Sequence, residues 1–390
     1  MKLKDLIESN NTGLDAIKRA PIVDYDTGVR CIRIGDISNN RPFCDWGYAK
    51  VEANNYNKFQ LKKGDIIVAR TGATIGVNEY IDKDYKSVYN NGLIRIRAKD
   101  ENNSKYIYYL LQSNNYKNFI KTISMGTSTQ PNMQMNDLLN LEVPNFDRSK
   151  QDKIVELLGR IDQKIELNNE TNNNLYDFAM NYLNSLTEDD EVQLSEFGKI
   201  QGGYAFKSKD LKDEKTANRI IKIKNLKSEI NVDIDNSQFV DDEVVLKIDK
   251  KFKLQKGDVT IAMTGAELGK TGFIYGKDNY YLNQRVGVVK NKDIKRELYL
   301  KILMLSNNFQ LLLNSKGYGS AQPNISTSDI ENVMIKNINK ENLDVFYKTV
   351  YPIYNKIINN SEENKNLEQL RDTLLPKLMN GEIDLDNIEI

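Results

Sequence analysis

Hydrogen-bonding side chains are grouped around two turns of small residues. In Thr71-Gly72-Ala73-Thr74 and Thr264-Gly265-Ala266, backbone N–H groups and a threonine hydroxyl could donate to a phosphate oxygen. The alternative, which we favour, is a tight turn in which the glycine supplies a positive φ. The loops Gly126-Thr127-Ser128-Thr129-Gln130 and Lys316-Gly317-Tyr318-Gly319-Ser320 have the same two interpretations.

Basic side chains beside small-residue turns are further candidates for contacts with phosphates or base edges. Lys18 and Arg19 lie shortly after Gly13, and Lys207 with Ser208 lies shortly after Gly203. A solvated surface charge is the ordinary role of such residues, so each is a candidate and not an assignment.

The sequence lacks the residues on which most catalytic sites depend. None of its 390 residues is histidine, which excludes serine-histidine triads, most zinc sites and the commonest general base. Neither a G-x-x-x-x-G-K-[ST] phosphate loop nor a G-x-G-x-x-G turn occurs. The 55 acidic residues leave carboxylate chemistry open, but no spacing typical of a nuclease or transferase appears. We therefore predict no catalytic residue, metal or cofactor in this chain.

Charge and composition limit the possible partners. The formal net charge is zero, whereas nucleic-acid binders usually carry a basic excess. DNA binding would therefore need segregated charge, as in residues 201–230 with eight Lys or Arg and four Asp or Glu, or phosphate contacts from partners. The stretch 188–191 and the chain end are acidic and should lie away from any DNA that the chain binds. The sequence shows no apolar run of membrane length and no signal peptide, and we expect Cys31 and Cys44 to be reduced. We therefore expect a cytoplasmic protein.

The sequence contains two copies of an internal repeat. KGDIIVARTGATIG, from Lys63, matches KGDVTIAMTGAELG, from Lys256, at an offset of 193. Gly13 to Ile17 matches Gly202 to Phe206 at 189, and Gln130-Pro131-Asn132 matches Gln322-Pro323-Asn324 at 192. Small drift with retained order is typical of loop insertions in a duplicated fold.

If the chain binds DNA, residues that differ between the halves are candidates for contacts with different bases. Arginine pairs with guanine, and asparagine or glutamine pairs with adenine. Arg70 stands where the second half has Met263, and Arg285 stands where the first half has Gly92.

Each half reads as a mixed α/β (α+β) domain followed by a long helix. Short apolar runs after Gly-Asp are typical of buried strands. The predicted divisions are residues 1–147, 148–187, 188–340 and 341–390. The helices carry a 4-3 apolar seam whose positions in the two copies differ by 192. The first seam is Ile154, Leu158, Ile161, Ile165, Asn168, Asn172, Leu175, Ala179, Tyr182 and Leu186. The second is Phe346, Val350, Ile353, Ile357, Asn360, Asn364, Leu367, Arg371, Leu374 and Leu378.

Two asparagines in the same layers of both seams suggest that the helices pair with each other. A buried asparagine is satisfied only opposite another polar group, so it fixes register. Parallel pairing would match Asn168 with Asn360, and antiparallel pairing would match Asn168 with Asn364 and Asn172 with Asn360. The pattern alone does not choose, but a pseudo-two-fold axis favours the antiparallel coiled coil. The alternative is that each helix packs on its own domain.

Pro352 and Pro376 should kink the second helix near its ends.

At this point the sequence resembles the specificity subunit of type I restriction-modification systems. Gly202 to Ser208 resembles the signature that opens a domain in that family, and residues 219–226 stand where the next strand should be. The K-G-D strand, the T-G-A loop and the small-residue loop before Q-P-N resemble the family in both halves. Residues 373–381 resemble its usual ending. The ordered set covers nearly the whole chain, although residues 13–19 keep only part of the opening signature.

The resemblance implies a DNA-recognition subunit without catalysis of its own. Each globular domain would be a target-recognition domain that reads half of a split site in double-stranded DNA. The helices, about 48 Å over their seam at about 1.5 Å per residue, would set the half-site spacing and dock two methyltransferase subunits. Restriction/translocase subunits would join for cleavage. S-adenosylmethionine would be held by the methyltransferase. The alternatives are a coiled-coil scaffold without DNA specificity and a duplicated hydrolase that uses carboxylates.

Overall fold

A computed structural model describes residues 1–39, 41–125, 132–227, 230–316 and 324–385. Two compact units divide the chain. One consists of residues 1–163 with 369–390, and the other of residues 164–368. Each unit therefore contains part of both long helices. The four-part division by sequence stays a prediction. No helix in the described part of the chain has both the length and the apolar character that a membrane crossing requires.

The first unit is a mixed domain with two four-stranded sheets. Its strands are β1 (Ile7–Thr12), β2 (Ile22–Val23), β3 (Arg30–Ile32), β4 (Gly47–Ala49), β5 (Ile66–Ala69), β6 (Asn78–Tyr80), β7 (Ser87–Tyr89) and β8 (Leu93–Ala98). Its helices are α1 (Leu3–Leu6), α2 (Ile34–Ser38), α3 (Ala53–Phe59), α4 (Ser104–Leu110), α5 (Asn114–Met125), α6 (Met135–Leu139) and the start of α7 (Arg148–Leu186). The sheet orders are β1-β8-β5-β6 and β2-β4-β3-β7, and only β3 with β7 is parallel among these pairs.

The second unit repeats the first of these sheets and three strands of the second. Its strands are β9 (Glu191–Gln193), β10 (Lys199–Gly202), β11 (Asn218–Ile221), β12 (Gln238–Val240), β13 (Lys253–Leu254), β14 (Val259–Ala262), β15 (Thr271–Phe273), β16 (Asn279–Leu282), β17 (Val286–Lys290) and β18 (Met334–Lys336). Its helices are α8 (Asp242–Val245), α9 (Ile294–Met304), α10 (Asn307–Lys316), α11 (Thr327–Glu331) and most of α12 (Lys340–Met379). The order β10-β17-β14-β15 copies the first sheet, and β11 pairs in parallel with β16 as β3 does with β7. The predicted duplication of a mixed fold is confirmed.

Strand β5 lies between two cores, which explains its unbroken apolar sequence. Ile66 and Val68 belong to the cluster that contains α4, while Ile67 and Ala69 belong to the cluster on the other side of the sheet. All four residues are fully buried. A strand buried on both faces has no reason to alternate apolar and polar residues.

The match between Gly13 and Gly202 is wrong by one residue. Gly13 N donates to Leu93 O at 3.2 Å, and the corresponding bond in the second unit runs from Gly203 N to Val286 O at 3.1 Å. A Cβ on Gly13 would lie 2.2 Å from Tyr89 O, and one on Gly203 would lie 2.2 Å from the backbone oxygen of Asn283. The glycine that the fold requires is therefore Gly203, at an offset of 190.

The long helices run antiparallel within each unit, as predicted. In the second unit Asn168 bonds with Asn364 and Asn172 bonds with Asn360, which are the antiparallel partners. In the first unit Arg371 pairs with Asp162 at 3.0 Å. Helix α12 is continuous from Lys340 to Met379 and so passes through both of its prolines.

The apolar seam positions join the core of the unit in which they lie. Members of the first unit's core and of its partly buried border are Ile154, Leu158, Leu374 and Leu378. Members of the second unit's core and border are Leu175, Ala179, Tyr182, Leu186, Phe346, Val350, Ile353 and Ile357. Ile161 is buried, and Ile165 and Leu367 are half-buried.

Candidate nucleic-acid interface

Four chain segments meet at one end of the first unit's sheets. We call residues 14–19, 70–74, 90–92 and 132–133 the first junction. Three backbone hydrogen bonds tie it together: Asn91 N to Leu14 O at 2.8 Å, Arg70 N to Gly92 O at 2.9 Å, and Met133 N to Arg70 O at 2.8 Å. The candidates Lys18, Arg19, Arg70, Thr71, Gly72 and Thr74 all lie on these segments.

The second unit builds the same arrangement. We call residues 204–208, 263–267, 283–285 and 324–325 the second junction. Its bonds are Gln284 N to Tyr204 O at 2.9 Å, Met263 N to Arg285 O at 3.1 Å, and Ile325 N to Met263 O at 3.0 Å. The candidates Lys207, Ser208, Thr264, Gly265 and Arg285 lie on it. Residues distant in sequence are therefore brought together in the same way twice.

The T-G-A segments are tight turns. Gly72 and Gly265 have φ values of +83° and +78°, and no atom lies within 4 Å of a Cβ built on either. Backbone bonds close both turns, from Ile75 N to Gly72 O at 3.2 Å and from Leu268 N to Gly265 O at 3.1 Å. The conformation alone accounts for glycine here, because it disfavours any residue with a side chain. A phosphate contact by these turns stays a prediction.

Asp15 organises the turn that carries Lys18 and Arg19. Its carboxylate accepts from Lys18 N at 2.8 Å and from Arg19 Nε at 2.6 Å. The Arg19 hydrogen bond, followed by the bond from Lys18 N, holds the pKa of Asp15 well below its usual range. Arg19 is thus partly neutralised by its own turn, while the exposed side chain of Lys18 has no partner within the described residues.

Lys207 and Ser208 lead into a short 3-10 turn of the second junction. Both are exposed, and Asp210 N donates to Lys207 O at 2.9 Å. Their side chains form no hydrogen bond with the part of the chain that the structure describes, so both groups can meet a ligand.

Each junction presents one arginine beside an asparagine. Arg70 Nη2 donates to Asn132 Oδ1 at 3.2 Å, and Arg285 Nη1 lies 3.5 Å from Asn324 Oδ1. The two asparagines are the last residues of the repeated Q-P-N motif. The sequence analysis did not name these asparagines as site residues. Their recurrence at an offset of 192 is the feature that would have indicated them.

Some candidates lie outside the described residues. They are Thr127, Ser128 and Tyr318, together with the loops 126–131 and 317–323 that contain them. Lys316 ends helix α10, but its side chain is also outside the described part.

Comparison with known families identifies the fold and its class. The profile described as type I restriction modification DNA specificity domain matches residues 1–176 and 188–369. The chain belongs to this family. Each half of the chain therefore contains one specificity domain, and the resemblance read from the sequence is confirmed.

Individual specificity subunits support this membership. The chain is 26% identical over 326 residues to the type I restriction enzyme MjaIX specificity subunit of Methanocaldococcus jannaschii, covering 77% of this chain and 73% of that protein. It is 23% identical over 431 residues to the HindI specificity subunit of Haemophilus influenzae, covering 90% and 94%. The crystal structure of the type I restriction-modification S subunit from M. genitalium matches with a TM-score of 0.54 and 18% identity, over 97% and 95% of the two chains. This last likeness concerns the fold.

The K-G-D motif of the specificity domains is structural. Asp65 is fully buried and receives two bonds of 2.8 Å from Arg97, which raise the pKa of that arginine. Asp258 in the second domain is paired with Lys290 at 2.6 Å. These ion pairs tie the residue before β5 to β8 and the residue before β14 to β17, so they support the strands that border the junctions.

The asparagine layers of the specificity chain form a satisfied polar network. Asn168 Nδ2 donates to Asn364 Oδ1 at 2.8 Å, and Asn360 Nδ2 donates to Asn172 Oδ1 at 2.8 Å. All four asparagines are at most 7% exposed. Asn172 Nδ2 also donates to the hydroxyl of Ser361 at 3.3 Å. These bonds tie the two helices in one register.

Proposed function

We propose that this specificity subunit reads a bipartite DNA site, with one half-site bound at each junction. The observation that carries the proposal is the pair of junctions, because the same backbone bonds in both domains gather exposed hydrogen-bond donors at a sheet end. Basic and hydroxyl side chains supply phosphate contacts, and arginines supply base contacts. Family membership favours this role over a DNA-independent scaffold or a carboxylate hydrolase.

Catalysis belongs to partners in this proposal. The described residues contain no group of three or more Cys, Asp or Glu arranged to hold a metal ion. Methyl transfer would use S-adenosylmethionine held by two methyltransferase subunits, and restriction/translocase subunits would act on the DNA that the complex selects. The complex would work in the cytoplasm, where its DNA is. Since the chain is neutral overall, these partners would also supply phosphate contacts.

The long helices would dock the methyltransferases through aromatic residues on their outer faces. In the second unit Phe178 stacks on Tyr182 with ring centroids 5.8 Å apart, and Tyr347 stacks on Tyr351 at 5.0 Å. Phe178 is 48% exposed and Tyr351 is 46% exposed. Exposed aromatic residues are enriched at protein interfaces, where their burial contributes much of the affinity.

Two measurements test this function. The tagged chain is purified from its own host, its partners are identified, and methyl transfer to that host's unmethylated DNA is mapped by sequencing. We expect a methyltransferase to co-purify and methylation at a single split motif. Recovery of no methyltransferase, or methylation without a motif, refutes the proposal.

The docking surface is tested separately with single variants. Phe178→Ala and Tyr351→Ala should reduce methyltransferase co-purification, while Glu170→Ala, on an exposed position of the same helix as Phe178, should not. Circular dichroism confirms that each variant is folded. Unchanged co-purification with both aromatic variants would place the docking surface elsewhere.

A further inference from the structure

We propose that Arg70 and Arg285 occupy one equivalent reading position in the two specificity domains. Each would contact a guanine of its own half-site, and Asn132 and Asn324 would be positioning residues that hold the two guanidinium groups. This inference rests on the proposed function and adds to it the base class and the residues that select it.

Arg70 follows β5 and Arg285 precedes β17, the counterpart of β8, yet each lies beside the same asparagine of the repeat. Strands β5 and β8 pair up to Ala69 with Leu93, and one step further Arg70 N donates to Gly92 O. In the second domain β14 and β17 pair up to Ala262 with Val286, and the next step joins Met263 N to Arg285 O. Positions 70 and 92 are therefore cross-strand neighbours, as are 263 and 285. Each domain has one arginine in its pair of positions.

The asparagine beside each arginine makes the equivalence specific. Asn132 and Asn324 are exposed and correspond in the repeat. Asn132 accepts a hydrogen bond from Nη2 of Arg70, which follows β5, whereas Asn324 faces Nη1 of Arg285, which precedes β17. A guanidinium has five N–H donors in a planar fork, so one bond to an amide oxygen fixes its rotation and leaves donors for a ligand. Guanine offers two adjacent acceptors, O6 and N7, that match this fork.

The first experiment separates base reading from phosphate contact. The chain is produced with its methyltransferase subunits, and methylated motifs are sequenced for the native protein, Arg70→Lys and Arg70→Met. Lysine keeps the charge but loses the fork, so both variants should reduce the preference for one guanine, in one half-site, by about 5- to 150-fold. The other half-site should be unchanged, and Arg285→Gly should give the converse result.

The second experiment moves the arginine across the strands. Arg70→Met combined with Gly92→Arg gives the first domain the residues of the second, and it should recover most of the guanine preference. A Cβ at position 92 would lie 2.7 Å from Cδ1 of Ile34, the flexible end of that side chain. The second domain has Ile223 at the matching position of the repeat and still carries Arg285, so we expect this contact to relax.

The positioning role has its own test. Asn132→Ala should weaken the guanine preference, and Asn132→Asp, which keeps an acceptor oxygen, should retain it. If Arg70→Lys and Arg70→Met leave the motif unchanged while methylation decreases equally at all sequences, Arg70 contacts a phosphate and the inference is overturned. An unchanged motif at full activity would overturn it too. Failure of the proposed function is distinct, because then the native complex itself shows no split motif.

Discussion

Removing one amide of the Asn172–Asn360 layer should destabilise the second unit more than removing both. Asn360 is 1% exposed, and its Nδ2 donates to Asn172 Oδ1. In Asn172→Leu this donor stays buried without an acceptor, which costs about 1–3 kcal/mol. For a unit of the size of residues 164–368, a loss of about 2 kcal/mol lowers Tm by about 4–8 °C.

The double variant Asn172→Leu/Asn360→Leu removes the stranded amide as well. Leucines in this layer continue the apolar seam toward Leu175 and Ile357, so its stability should return to that of the native chain or exceed it. The full chain is unfolded by urea at pH 7 and followed by circular dichroism, which gives the coupling free energy of the pair. We expect a coupling of about 1–3 kcal/mol.

One outcome would refute the reasoning. If the double variant loses as much stability as the two single variants together, the amides do not satisfy each other and the antiparallel layer is not the source of the effect. Asn174→Leu is the control, because Asn174 is exposed on the same helix and its replacement should change stability by no more than about 0.5 kcal/mol.

Three further predictions concern the first unit. Asp65→Asn breaks a bidentate pair between a fully buried carboxylate and the partly exposed Arg97, and should cost about 1–3 kcal/mol in urea unfolding. Burial raises the pKa of Glu79 from 4.5 to about 7, so between these pH values the folded state retains a proton that the unfolded chain releases. The contribution of this group to the free energy of unfolding is therefore greatest below pH 4.5 and is lost as the pH rises through 7. Glu79→Gln should therefore gain stability relative to the native chain between pH 5 and pH 8, and equal urea midpoints at pH 8 would contradict this. Gly13→Ala places a Cβ 2.2 Å from a backbone oxygen and should lower Tm, whereas Gly35→Ala meets no atom within 4 Å and should not.

The helix pairing could be predicted from the sequence because its constraint is periodic. A strict 4-3 seam fixes which residues face a partner, and the asparagines restrict register to layers where amides meet. Parallel and antiparallel pairing satisfied that pattern equally, so direction depended on symmetry. The bond between Asn168 and Asn364 confirms the antiparallel solution. The buried strands were likewise readable, because continuous apolar runs mark strands covered on both faces.

The junctions could not be derived in the same way. That positions 70 and 92 are neighbours depends on the pairing of Ala69 with Leu93, which no local pattern records. The sequence showed Arg70 and Arg285 as two unrelated differences between the halves. The glycine match failed for a related reason: two adjacent glycines, Gly202 and Gly203, are equivalent in sequence, and only the close approach to a neighbouring carbonyl distinguishes them.

The residues that are the same in both domains and those that differ have different physical roles. The glycine at each close approach, the buried aspartate of each K-G-D turn and the three backbone bonds of each junction are the same in both domains. These features hold the backbone, so a change there moves whole strands. Arg70 and Arg285 are exposed or half-exposed, and their replacement leaves those bonds intact. A reading side chain can therefore change, or move to the neighbouring strand, while the surface that presents it stays in place.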